Sequence, residues 1–150
     1  YGLFFDVIRC ILNSIMAKSK KAPRAGFIPY YYVNGELHIM LMKPSNAKFG
    51  GDEFQVAKGK IEDGETAEVA AIREASEELG LREQNLLDIN YLGKFLGYTE
   101  IFYGQVKDQS DFGETTYETE VTLWLPPEKF FDIGRRIHFP IVREFLNKFR

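Results

Sequence analysis

In the stretch Gly59–Leu81, GKIEDGETAEVAAIREASEELGL, a glycine-bracketed turn leads into a helix. Thr66 is placed as its N-cap and Gly80 stands just past its end, so the spacing predicts a helix over 66–79. That helix carries Glu74, Glu77 and Glu78. Their i, i+3 and i+4 offsets gather three carboxylates on one patch of helix surface. Like charges so placed destabilise a helix by about 0.2–0.5 kcal/mol per pair. A hard divalent cation reverses that sign, because Mg²⁺ takes oxygen ligands and keeps waters and substrate phosphates beside them. Val69, Ile72, Ser76 and Leu79 are expected to pack inward with little bulk. Arg73 can orient a carboxylate through a two-pronged hydrogen bond, and Glu65 at the helix mouth is a candidate partner. Gly59 and Gly64 permit a tight turn close to a ligand.

Outward from this stretch the pattern is that of strands. Phe27–Val33 and Leu37–Met42 flank Asn34-Gly35, a dipeptide that accepts the positive φ values of a hairpin turn. A Gly/Ser/Asn/Pro loop follows over 43–52, then a short strand at Phe54–Ala57. Beyond the helix, strands are expected at Leu92–Leu96, Ile101–Val106 and Glu118–Leu125. The last is closed by Pro126-Pro127, which cannot continue a central ladder. Glu128–Phe131 reads as a helical turn. A second helix starts at Pro140, with Ile141, Val142, Phe145, Leu146 and Phe149 on one face. The fold class is α+β, an α/β/α sandwich with a mixed β-sheet.

A chain of 150 residues is long enough for one self-sufficient core. One cysteine (Cys10) excludes an internal disulfide framework, and two distant histidines (His38, His138) exclude a Cys/His zinc cluster. A reducing, cytoplasmic setting is the expectation. The net charge of −3 argues against nucleic acid as a partner. From Lys58 to Glu83 there are four basic and eight acidic residues, so the acidic excess is concentrated around the glutamate helix.

Residues 1–15 show helically spaced apolar positions but are too short to span a membrane and are interrupted by Asp6 and Arg9. Met16 has the look of a translation start. Residues 1–15 are therefore expected to be an apolar extension, not necessarily native, with a docking helix as the alternative; the domain is placed at 16–150. The basic run Lys18, Lys20, Lys21 and Arg24 is expected to be a solvated tail.

The stretch Gly59–Leu81 resembles the Nudix box, G-x5-E-x7-R-E-U-x-E-E-x-G-U, where U is a bulky aliphatic residue. Gly59, Glu65, Arg73, Glu74, Glu77, Glu78, Gly80 and Leu81 fall in register, and Ala75 departs from the usual aliphatic residue. The order of strands and helices agrees with a Nudix fold over roughly residues 24–149. The resemblance implies a pyrophosphohydrolase that splits a nucleoside diphosphate linked to another group, with Mg²⁺ or Mn²⁺ neutralising charge as water attacks phosphorus. Carried over, Glu74, Glu77 and Glu78 are metal ligands, the carbonyl of Lys58 or Gly59 is a further one, and Glu65 and Arg73 orient them. Lys58 and Lys60 are placed to meet phosphate. The general base is a box glutamate, Glu74 or Glu78, or a later carboxylate among Glu114, Glu118 and Glu120; the last two share a face if their strand is regular. A small-molecule nucleotide is the implied partner, no membrane is expected, and relatives include homodimers.

Substrate choice in this family lies outside the box. Dinucleoside polyphosphate hydrolases tend to carry a tyrosine at about the distance of Tyr98, the seventeenth residue after Leu81. Phe54-Gln-Val-Ala-Lys-Gly is similar to the aromatic-x-x-Pro-Lys-Gly entry of that group, with Ala57 in place of proline. Phe54 and Tyr98 are thus candidate base-stacking residues, and Tyr30, Tyr31, Tyr32, Phe102 and Tyr103 are alternatives. A dinucleoside polyphosphate such as Ap3A or Ap4A is the expected substrate. ADP-ribose, FAD, NADH or a nucleoside triphosphate is the alternative. A non-catalytic Nudix-fold binding module would be expected to have lost its box glutamates, which are intact here.

Overall fold

The computed structural model describes residues 6–9 and 22–150. Residues 6–9 are helical and exposed; the rest of the 1–15 extension, Cys10 and Met16 lie outside the described residues. From Arg24 the chain runs β1 (Arg24–Val33), β2 (Glu36–Pro44), β3 (Ala57–Lys60) and α1 (Ala67–Leu79). It continues through β4 (Asn90–Phe95), β5 (Thr99–Gln105) and β6 (Thr119–Leu125) to α2 (Phe130–Ile133) and α3 (Phe139–Asn147). The sheet order is β4-β5-β1-β2-β6, with β3 also on β1. Only β1 and β5 run parallel, so the sheet is mixed.

The hairpin forms as its sequence requires: Asn34 and Gly35 both have positive φ, 51° and 80°, and Val33 pairs with Glu36. β1 then does double duty along one edge. Its first half, Arg24–Phe27, pairs with β3, and its second half, Tyr30–Val33, pairs with β2. This division sets β3, and Gly59 with it, beside the start of β1.

Side-chain alternation on β1 and β2 separates two cores. Ala25, Phe27, Met40 and Met42 face α1, together with Ala57 and Leu81. Ile28, Tyr30, Ile39 and Leu41 face Ile141, Val142, Phe145 and Leu146 of α3. The expected α/β/α layering holds. Among the described residues no helix is long and apolar enough to cross a membrane.

Two details differ from expectation. The inward face of α1 is Ala70, Ala71, Ala75, Glu78 and Leu79, whereas Val69 is 52% exposed, Ser76 is exposed and Ile72 is half-buried. Alanines let the helix axis approach the sheet, and the bulkier Val69 and Ile72 turn outward. The third strand starts at Ala57 rather than Phe54. Phe54 and Gln55 make only isolated bridges, to Gly134 and Met42.

Candidate active site

The ends of α1 are fixed by local chemistry. Thr66 Oγ1 accepts the Val69 N–H at 3.2 Å, and Gly80 caps the other end in the left-handed region with φ 78°. A side chain at Gly80 would also strike the Gly113 carbonyl. That approach lets the loop before β6 lie along the C-terminal half of the helix. Gly113 N–H donates to the Gly80 carbonyl at 2.6 Å, Thr116 N–H to the Glu77 carbonyl at 2.8 Å, and Thr119 Oγ1 to the Glu78 carbonyl at 2.8 Å.

At the other side, β3 receives the carboxylates. A Cβ at Gly59 would occupy the place of the Glu74 carboxylate, so only glycine allows this contact. The Lys58 N–H donates to Glu78 Oε2 at 2.8 Å. Arg73 ties the site together. Its Nε and Nη2 donate to the two oxygens of Glu65 at 2.7 and 2.9 Å, Nη1 to Glu74 Oε1 at 2.9 Å, and Nη2 to the Lys60 carbonyl at 2.9 Å. Glu77 is farther from Arg73, at 3.4 Å, and its side chain is 45% exposed.

The electrostatics divide these carboxyls. The hydrogen bonds from Arg73, helped by the Glu62 N–H, hold Glu65 below the usual carboxylate range. Burial pushes Glu74 up against the opposing pull of Arg73. Glu78 is pushed up to about 8, first by burial and then by the charge of Glu74, against the Lys58 N–H and ammonium. Burial brings Lys58 down to about 8, with Arg24 and Arg135 pressing the same way and Glu78 and Glu74 opposing. Buried carboxyls that repel one another while facing a desolvated lysine are the marks of a functional site.

The remaining candidates are spread around this centre. Lys60 is exposed, and its strand partner is Arg24. Tyr98 follows the Leu96-Gly97 turn, and its carbonyl accepts the Arg24 N–H at 2.9 Å, so it stands at the same end of the sheet. Phe54 is half-buried against the α3-side core. Tyr30 and Tyr103 belong to an aromatic cluster with Phe145 and Phe149. Glu118 precedes β6 instead of sharing a face with Glu120. Its neighbour Thr119 donates its hydroxyl to the Glu78 carbonyl, whereas Glu120 pairs with Lys43 at 3.4 Å. Glu114 is exposed on the docked loop.

Sequence reasoning gave Arg24 the wrong place and gave Arg135 and His138 no place beside Gln55 and Val56. Arg24 is no solvated tail: it opens β1, with its Nε buried. Its place directly before an apolar run was the available signal. Arg135 and His138 arrive from the α2–α3 connection, and nothing local in the sequence announces them.

The NUDIX domain profile matches residues 22–145. This chain belongs to the Nudix hydrolase family. It is a pyrophosphohydrolase by that membership. Solved Nudix structures share its fold. An Ap4A hydrolase of C. elegans, in a binary complex, is 20% identical with a TM-score of 0.66, over 86% of this chain and 98% of the other. RenU, a Nudix hydrolase of M. smegmatis, is 15% identical with a TM-score of 0.69, over 86% and 88%. The Nudix domain of Shewanella oneidensis NrtR, complexed with ADP ribose, is 14% identical with a TM-score of 0.67, over 89% and 92%.

Nudix enzymes use a divalent metal, and the donor set here is chemically suited to one: three carboxylates beside backbone carbonyls, with burial and mutual repulsion already raising two of them. Among the described residues, however, no group of three or more acidic, histidine or cysteine side chains stands arranged to hold an ion. Arg73 Nη1 holds Glu74 Oε1 and the Lys58 N–H holds Glu78 Oε2, so each bond engages one oxygen of its carboxylate.

Proposed function

We propose that this Nudix hydrolase cleaves the pyrophosphate bond of a nucleoside diphosphate linked to another group, with a dinucleoside polyphosphate such as Ap4A as its preferred substrate. The observation that carries the reaction is the Arg73 fork, which joins Glu65, Glu74 and the β3 backbone into one rigid platform. Glu74, Glu77 and Glu78, with the Gly59 carbonyl, would hold Mg²⁺ or Mn²⁺. When bound, the metal neutralises phosphate charge and activates water. Lys58 and Lys60 receive the phosphates. Glu118 takes the proton of the attacking water, a role for which its place next to Thr119, whose hydroxyl donates to the Glu78 carbonyl, favours it over the ion-paired Glu120. Glu74 and Glu78 are the alternatives within the box.

Tyr98 supports the dinucleoside preference, since it stands by Arg24 and Lys60 where a base could stack while phosphates reach β3. Phe54 is the second stacking candidate. The C. elegans relative is an Ap4A hydrolase, which favours the same reading, whereas the ADP-ribose complex of the S. oneidensis domain keeps ADP-ribose as the second one.

A panel of Ap3A, Ap4A, ADP-ribose, FAD and NADH with Mg²⁺ tests the preference; an optimum on ADP-ribose overturns it. Glu78→Gln should lower turnover at least 100-fold with little change in melting temperature. Activity that survives excess EDTA would sink the metal-dependent reaction.

A further inference from the structure

The sheet ends in two outer strands, β4 and β6. A bare outer strand presents a row of unpaired N–H and C=O groups, and proteins guard such edges with bulges, lysines or prolines. β4 is guarded: a bulge between Tyr91 and Gly93 interrupts its ladder, and Lys94 stands next to the break. β6 has none of these devices. Among the described residues it pairs with β2 alone, in unbroken register from Val121 to Leu125. Between Thr119 and Leu125 it holds no lysine, arginine or proline.

The same strand leaves apolar side chains uncovered. Leu123 pairs with Leu41, which belongs to the α3-side core, and Val121 lies two residues away on the same face. α3 packs toward β4, at the far end of the sheet. Val121 is therefore 43% and Leu123 40% exposed. Beside the strand lies a groove of about 480 Å³, lined by residues 113–115 of the loop docked on α1 and by residues 119–122 of β6. A further strand can enter there.

We propose that the free edge of β6 pairs with β6 of a second copy of this chain, antiparallel, across a two-fold axis through Thr122. An axis perpendicular to the sheet keeps each face of one strand continuous with the same face of the other. With the axis at Thr122, Val121 stands opposite Leu123 of the partner subunit and Leu123 opposite the partner's Val121. Both exposed apolar residues are then covered. Glu120, the one charged side chain of the strand, faces Trp124 of the partner subunit and not a second Glu120, so like charges do not meet. This self-complementarity selects a second copy over an unrelated extended segment. The pairing is independent of which substrate the enzyme cleaves.

Light scattering on the full chain between about 1 and 200 μM reads the assembly by mass action. Wild type should pass from one chain mass to two. Val121→Glu and Leu123→Lys should each weaken self-association by about 10-fold or more, because each sets a charge against an apolar partner; melting temperatures report that both variants fold. An equimolar mixture of the two should recover the dimer, since the new carboxylate at position 121 of one chain faces the new ammonium at position 123 of the other. In wild type, hydrogen exchange at the amides of residues 120–124 should slow as concentration rises, a readout that needs no variant. Wild type that keeps to one chain mass up to about 200 μM overturns the self-pairing and leaves the edge to an extended segment of another protein. A dimer that survives both substitutions, or exchange that ignores concentration, overturns β6 as the interface. Folded variants that stay monomeric when mixed overturn the register at Thr122.

Discussion

Arg73 donates to Glu65, Glu74 and the Lys60 carbonyl from three nitrogens held in one plane. A lysine has the charge but not the fork, so it can orient one of these groups at a time. Arg73→Lys is expected to lower kcat by about 10–100-fold, with a smaller effect on KM, because positioning and not substrate binding is lost; steady-state kinetics separate the two. His138 makes a different prediction. Its folded pKa, about 3, lies below the ordinary 6.5, so between these values the unfolded chain binds more protons. The stability it contributes is present above pH 6.5 and is lost as pH falls toward 3. The slope is on the order of 1 kcal/mol per pH unit. His138→Gln keeps an acceptor for Val56 and removes the titration. Urea denaturation between pH 4 and 6 should show a shallower pH dependence in the variant, and equal slopes would refute the assignment.

The glutamate helix was legible in sequence because its signals are local. Thr66 and Gly80 are the caps observed, and the box spacing fixes which residues share a face. Thr66→Ala should cost about 1 kcal/mol by loss of one cap hydrogen bond. Gly80→Ala should cost more, since it combines left-handed strain with a collision against Gly113 and frees the loop that carries Glu118. Chemical denaturation compares the two; a smaller loss for Gly80→Ala would contradict the docked loop. The inward face of the same helix was misread. Val69 and Ile72 are apolar, and hydrophobicity alone draws them inside. The close approach of Glu74 to Gly59 selects the alanine side instead.

Across the molecule, one sheet separates the two cores, and α3 closes the face that α1 does not. Phe145 lies at the centre of that second core, against Tyr30, Tyr103 and Phe149. Phe145→Ala should cost about 3–5 kcal/mol. Because β1 and β2 contribute to both cores, thermal unfolding should remain a single transition at lower temperature. A variant that loses α3 alone, with the α1 side melting separately, would show the cores to be independent.

Local signals in the sequence suffice to reveal the Nudix box, the caps of its helix and the hairpin, because caps, turns and alternation act over a few residues. The fold alone settles that Glu118 precedes β6 while Glu120 pairs with Lys43, that Arg24 opens β1, and that Arg135 and His138 meet Gln55 and Val56. Those contacts join residues tens of positions apart. Their pairing depends on how β1 is shared between β2, β3 and β5, which no local pattern encodes.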